Sequence, residues 1–191
     1  KTNRTSNSLL NIFLIFALII LIASFMTITS GPEYDVGLYQ LQTILWQRQY
    51  ALSPGLALLH FRFGFNSSWL LLPNFLLTPF IWRVGAYLAN SLLLVLAVIF
   101  ALEKFFLSCH QKIKLDFAHY FLFFANLGVI WWQLIPHLSF RPVTNDFPSL
   151  IMTLYSIYLL IKYLSSSTQE RSSWLNLILL VAAFSITIKL S

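Results

Sequence analysis

The strongest constraint on this chain is a set of five long apolar stretches separated by short polar segments. They are Leu9–Ile28, Ala86–Leu102, Phe117–Ile135, Phe147–Leu164 and Trp174–Ile188. A bilayer core needs about 20 mainly apolar residues in helical form, and these stretches approach or reach that length. Only 9% of the residues are charged, whereas a soluble domain carries roughly a quarter. The sequence therefore predicts an all-α polytopic membrane protein, with about five transmembrane helices in one transmembrane domain over residues 1–191.

A further apolar segment, Asn66–Trp82, is interrupted by Pro73 and Pro79, and prolines at this density disfavour a straight spanning helix. The distribution of positive charge supports the same interpretation. If the segment does not cross, 7 of the 12 Lys and Arg residues share the side of the N-terminus, which the positive-inside rule places in the cytoplasm. We therefore predict that residues 30–82 form an outer loop with interfacial or re-entrant helices.

The net charge of +6 does not indicate a nucleic-acid partner. The basic residues lie mostly between apolar stretches, and they form no stripe that could neutralise a run of phosphates. We expect the lipid bilayer as a partner and no nucleic acid. The chain begins at Lys1 and stops soon after its last apolar stretch, so we interpret it as the N-terminal part of a longer chain.

Three of the six carboxylates fall on the predicted outer side, close to membrane depth: Glu33, Asp35 and Asp146. A carboxylate near lipid is energetically costly and is usually retained for a function or a partner. Asp35, Tyr39 and Gln42 have the spacing i, i+4, i+7, which places them on one side of a helix. The alternative is that Asp35 only caps an interfacial helix, and the same alternative applies to Asp146 at the start of the fourth apolar stretch.

Three basic residues are candidates for contact with a lipid phosphate. His60 and Arg62 lie in the outer loop, although an arginine that snorkels toward headgroups would explain the latter equally well. Lys189 follows the fifth apolar stretch, where it could pair with a phosphate or with Asp146.

The two acidic motifs resemble those of GT-C membrane glycosyltransferases, in the branch of the protein O-mannosyltransferases and the lipid A aminoarabinose transferases. Asp35 with Tyr39 after the first span is similar to the Asp-Glu-x-x-Tyr-type motif of that branch. The sequence Thr144-Asn145-Asp146-Phe147-Pro148 resembles its Thr-Pro-Asp-type motif, which opens a later span. The chain departs from these motifs at two points. Glu33 and Asp35 are separated by one residue instead of being adjacent, and Asn145 stands where proline is commoner. These departures bear mainly on which carboxylate is catalytic.

The resemblance extends over essentially the whole chain and includes a group of bacterial membrane proteins related to these enzymes. It implies an inverting transfer of sugar from a polyprenyl-phosphate donor to an acceptor on the outer face of the bacterial inner (plasma) membrane. Asp35 would be the general base, a role worth roughly 10²–10⁴-fold in rate. Asp146 would orient the acceptor, or join Asp35 in holding a divalent metal ion if one is used. The implied substrate-binding residues are Glu33, Tyr39, Gln42, His60, Arg62 and Lys189.

Two other classes of function are compatible with the composition. A transporter or flippase would carry charges along its substrate path, but the middles of the five apolar stretches contain no Asp or Glu. A non-catalytic helical subunit of a larger membrane complex would need no acidic site at all.

Overall fold

The structure, a computed structural model, describes residues 34–50, 55–64, 67–76, 82–111, 115–134 and 143–188. Every regular element in these ranges is helical. The all-α prediction is therefore confirmed for the described part of the chain. The first apolar stretch, Leu9–Ile28, lies outside it.

Short helices precede four long ones. The short elements are a π-helical turn Val36–Gln40 that continues into α1 (Leu41–Gln49), then α2 (Leu56–Leu59), a 3-10 turn Phe61–Gly64, and a 3-10 turn Ser68–Leu70 that continues into α3 (Leu71–Leu76). The long elements are α4 (Trp82–Gln111), α5 (Phe117–Leu134), α6 (Asp146–Ser165) and α7 (Thr168–Ile188). Within the predicted re-entrant segment, α3 has only 6 residues, which at about 1.5 Å per residue is far too short to cross a bilayer.

Helices α6 and α7 are long and apolar enough to cross a membrane, with 20 and 21 residues. Neither is the buried core helix of a soluble protein, because only 28% and 6% of their apolar windows are buried. On α7, Leu179 and Leu180 are 59% and 67% exposed, so large apolar side chains lie on the surface of this helix. The apolar helical segments Leu88–Glu103 and Phe117–Trp132 are shorter. The described helices thus support two membrane spans and do not support the predicted five.

Clusters of buried side chains show that the four long helices alternate in direction. Near its start, α4 contributes Ala89 to a cluster with Ile188 at the end of α7. Farther along, α4 contributes Ala101 to a cluster with Ala118 at the start of α5 and Tyr158 in the second half of α6. Each long helix therefore runs opposite to the one before it. We name the two ends of this bundle the Asp35 end and the Asp116 end, after the acidic residue at each.

Asp116 ties the start of α5 to the end of α6. One of its carboxylate oxygens lies 2.6 Å from the Lys162 ammonium, and the other lies 2.6 Å from Nδ1 of His119. The second oxygen also accepts the backbone N–H of His119 at 3.1 Å. The same Lys162 ammonium lies 5.6 Å from the ring of Trp174 on α7. This carboxylate therefore has specific partners on two helices, His119 on α5 and Lys162 on α6.

These partners make the stability of the Asp116 end depend on pH. Burial raises the pKa of Asp116, but the hydrogen bonds from Lys162 and His119 and their positive charges outweigh it, so the pKa lies below its ordinary 3.8. A depressed pKa stabilises the fold above that ordinary value, and the contribution is lost as the pH falls through the folded-state pKa. We expect Asp116→Asn to lower the free energy of unfolding by about 0.5–1 kcal/mol near neutral pH.

The measurement is thermal unfolding of the wild type and Asp116→Asn in detergent near neutral pH and again well below the ordinary pKa of 3.8. The difference between the two proteins should shrink at the lower pH. Glu170→Gln, which removes an exposed carboxylate at the start of α7, is the matched control. An equal difference for Asp116→Asn at both pH values would contradict the assignment.

Candidate functional site

The segment that follows Asp35 is wound as a π-helical turn. The backbone N–H of Leu41 donates to the carbonyl of Val36, an i to i+5 bond. Such turns are rare and occur frequently at functional sites. Asp35 itself has helical backbone angles and makes no capping hydrogen bond through its side chain. The alternative role of Asp35, as a residue that only caps a helix, is therefore not supported.

Arg62 gathers the predicted residues into one cluster. Its guanidinium forms an ion pair with Asp35, with Nη1 donating to Oδ1. The guanidinium carbon also lies 5.5 Å from the centre of the Tyr39 ring, within cation–π range. The side chains of Arg62 and Asp35 remain 30% and 45% exposed, so a ligand can reach both. Asp35, Tyr39 and Arg62 are thus brought together across 27 residues of sequence.

His60 supports the turn that carries Arg62. Its Nδ1 accepts the backbone N–H of Arg62 at 3.3 Å, and its ring stacks on Phe61 with centres 5.0 Å apart. Because Nδ1 accepts, a neutral His60 carries its proton on Nε2. His60 therefore acts on the cluster through the backbone of Arg62.

Exposed apolar residues precede Arg62 in the sequence, and the ring centre of Phe61 lies 5.8 Å from its guanidinium carbon. Gly55 adopts φ 85°, a left-handed angle that favours glycine, and α2 begins directly after it. This turn leaves Leu58, Leu59 and Phe61 exposed by 91%, 71% and 67%. We call these three residues the apolar ridge. The ridge precedes Arg62 in the sequence. Exposed apolar side chains and the Arg62 guanidinium are therefore close together on the same short segment.

Gln40 and Gln42 differ from what helical spacing predicts. Gln42 is exposed, whereas Gln40 is only 4% exposed and its amide nitrogen lies 3.4 Å from the hydroxyl of Tyr39. An i to i+5 bond accommodates more residues per turn than an α-helix, which shifts the side chains that follow. The amide oxygen of Gln40 has no hydrogen-bond partner in the part of the chain that the structure describes. Sequence reasoning missed Gln40, because α-helical spacing selected Gln42.

The second acidic motif belongs to the same end of the bundle. Val143, three residues before Asp146, shares a core cluster with Val36, the residue after Asp35. Asp146 is exposed in the first turn of α6, a position where a carboxylate interacts favourably with the helix dipole. Asn145, not Asp146, occupies the N-cap position, and it makes no capping hydrogen bond through its side chain. The structure therefore places both motifs at the Asp35 end.

A buried hydrogen-bond chain holds the second motif in place. The indole N–H of Trp69 donates to the amide oxygen of Asn90 at 2.8 Å, and the Asn90 amide nitrogen donates to the carbonyl of Thr144 at 3.0 Å. Asn90 is fully buried and Trp69 is 4% exposed. Neither Trp69 nor Asn90 was predicted as a functional residue, although an asparagine within an apolar helix is a known signal of contact between helices.

The described residues do not fit a divalent metal ion at Asp35. The Arg62 guanidinium is paired with Oδ1 of Asp35, and its positive charge would oppose a second cation at this carboxylate. Among the residues that the structure describes, no group of three His, Cys, Asp or Glu side chains is arranged to hold a metal.

Two predicted residues, Glu33 and Lys189, lie outside the described ranges. The chain just before Lys189 is fixed, because the hydroxyl of Ser67 donates to the carbonyl of Ile188 at 2.5 Å. Helix α7 therefore ends at the Asp35 end.

Comparison with known sequences identifies the family. The sequence profile of the family described as "Domain of unknown function (DUF8201)" matches residues 1–191. The chain belongs to this family. No curated protein and no solved structure matches it. The chemistry of this DUF8201 chain is therefore argued from its own site, where a carboxylate, a guanidinium and a phenol ring meet beside the apolar ridge.

Proposed function

We propose that this protein is a GT-C-type membrane glycosyltransferase that transfers a sugar from a polyprenyl-phosphate donor to an acceptor on the outer face of the membrane. The observation that carries the proposal is the cluster of Asp35, Arg62 and Tyr39, which presents a carboxylate and a guanidinium together beside the apolar ridge. A carboxylate can accept the acceptor's proton, and a guanidinium can hold the donor's phosphate.

The proposed reaction uses these groups in one displacement. Asp35 takes the proton from the acceptor hydroxyl or amine as that atom attacks the anomeric carbon. The bond from the anomeric carbon to the phosphate oxygen breaks on the opposite face, and its electron pair leaves with the phosphate, so the configuration inverts. Arg62 binds the departing phosphate, and Asp146 orients the acceptor. Base catalysis of this kind contributes roughly 10²–10⁴-fold.

The apolar ridge supports a donor that is linked to lipid. Leu58, Leu59 and Phe61 are more than half exposed, which is unfavourable in water but suits the boundary between headgroups and acyl chains. An arginine at such a boundary keeps its charged head among phosphates. The ridge therefore supports a site at the depth of a lipid-linked phosphate.

The alternating helices support a finer topology that we include in the proposal. If Leu9–Ile28 is the first crossing and α4 to α7 are the others, the chain crosses five times with its N-terminus in the cytoplasm of a bacterial cell. Helix α5 has 18 residues, about 27 Å at 1.5 Å per residue, which is close to the roughly 30 Å of a bilayer core. Glu33 precedes the first described residue and Lys189 follows the last one. In this topology we propose both as residues of the outer site.

This topology predicts the labelling of single cysteines placed at Tyr34 and Asn145 in a protein whose Cys109 is replaced by serine. Both positions should react with a membrane-impermeant maleimide added outside intact cells, because both belong to the Asp35 end. A cysteine at Ser167, exposed at the opposite end, is the control and should react only after permeabilisation. Labelling of Tyr34 and Asn145 from opposite faces would overturn the shared site.

The activity is tested directly by transfer of a radiolabelled sugar from polyprenyl-phosphate donors in membranes that contain the full-length protein. Membranes lacking the protein are the control. If a panel of donor sugars gives no transfer above that control, the proposal is wrong.

A further inference from the structure

We infer that Asp35 and the donor's phosphate compete for Arg62, so that the donor must bind before Asp35 can act as a base. The inference rests on the proposed function and adds an order of binding to it. Its ligand is a phosphate ester anion, and its site is the guanidinium of Arg62.

Arg62 has supports that do not involve Asp35. Its guanidinium carbon lies 5.5 Å from the ring centre of Tyr39 and 5.8 Å from that of Phe61. Its backbone N–H is held by Nδ1 of His60 at 3.3 Å. These contacts position the arginine between two aromatic faces even if its acidic partner is exchanged.

Asp35, in contrast, is an exchangeable partner. Its side chain is 45% exposed, and its contact in the cluster is the ion pair with Arg62. A partly exposed ion pair is worth little, so an incoming anion needs only a modest advantage to replace the carboxylate. A phosphate gains that advantage by accepting two N–H groups of the guanidinium, whereas Asp35 accepts from Nη1 through Oδ1.

The exchange couples the two substrates. While Arg62 holds the carboxylate of Asp35, that carboxylate is engaged and oriented toward the arginine. When a phosphate ester takes over the guanidinium, the carboxylate is released and becomes available to the acceptor's proton. No covalent bond changes in this step, because one anion replaces another on the same cation. An acceptor that arrives first therefore meets a base whose Oδ1 is held by Arg62.

The competition predicts that a phosphate ester binds more tightly when the Asp35 charge is removed. A phosphate ester without a sugar can measure this effect. Farnesyl phosphate should bind Asp35→Asn in nanodiscs about two- to fivefold more tightly than it binds the wild type, because the competing charge is gone. Arg62→Gln should weaken binding by at least about tenfold. The double variant should bind no more tightly than Arg62→Gln alone. Glu170→Gln removes an exposed carboxylate at the Asp116 end and should leave affinity unchanged.

The outcomes separate the inference from the proposed function. If Arg62→Gln weakens binding but Asp35→Asn binds no more tightly than the wild type, the competition is wrong while Arg62 remains the phosphate site. If Arg62→Gln binds as the wild type does, both proposals lose their phosphate site. Equal gains in Asp35→Asn and Glu170→Gln would reveal a general charge effect and would also overturn the competition. Size-exclusion profiles of all variants establish that each one is folded.

Discussion

Asp35→Asn is expected to lower sugar transfer by the full-length protein at least about 10²-fold, with normal expression and membrane insertion. The amide is close in size to the carboxylate but cannot take up the acceptor's proton. Folding should be spared, because the Asp35 side chain makes no capping hydrogen bond and its ion pair is partly exposed. The measurement is transfer from a radiolabelled polyprenyl-phosphate sugar at saturating donor and acceptor.

Two further variants make the result specific. Asp146→Asn should reduce transfer less than Asp35→Asn does, since an orienting residue can still form hydrogen bonds as an amide. Gln49→Ala alters an exposed residue at the end of the same helical segment and should leave transfer close to the wild type. Undiminished transfer by Asp35→Asn would remove the reason for placing the base in this segment. A non-catalytic helical subunit would then be the better explanation of the chain.

The helical architecture could be predicted because it depends on local sequence. Each of the last four predicted apolar stretches overlaps one of α4 to α7, although α4 extends from Trp82 to Gln111 and the prediction covered only Ala86–Leu102. Paired prolines disfavoured one long helix over Asn66–Trp82, and the described part of that segment contains the short helix α3. The number of membrane spans was harder to predict from the sequence. Helix length and burial support α6 and α7 as spans, whereas the count of five depended also on loop charges and on Leu9–Ile28, which lies outside the described residues.

The candidate site was predictable in part. Chemistry alone singled out Asp35 and Arg62, since charged residues near lipid are unusual, and the structure pairs them. Their contact spans 27 residues of sequence, so no helical period could predict it. The π-helical turn could not be predicted either, because the spacing of apolar residues does not indicate an i to i+5 hydrogen bond. The buried position of Gln40, whose amide nitrogen lies 3.4 Å from the Tyr39 hydroxyl, was therefore not predicted.

The largest effect on stability is expected from Asn90→Leu. Leucine has a similar size and suits an apolar helix, but it removes the hydrogen bonds that the buried amide makes with Trp69 and Thr144. The indole N–H of Trp69 and the carbonyl of Thr144 each lose their Asn90 partner. A buried polar group without a partner costs about 1–3 kcal/mol, so we expect a loss of about 2–4 kcal/mol in the free energy of unfolding. Denaturant unfolding in detergent measures it.

The same substitution at Asn176 provides the control, because this asparagine is exposed on α7. Asn176→Leu should change stability by less than about 0.5 kcal/mol, as is usual for surface sites. Trp69→Phe should fall between the two, since it removes only the first of the two hydrogen bonds. Because the second bond fixes the backbone just before Asp146, Asn90→Leu should also reduce sugar transfer in the protein that remains folded. If Asn90→Leu proved as stable as Asn176→Leu, the chain from Trp69 to Thr144 would not hold the second motif, and its place beside Asp35 would need another cause.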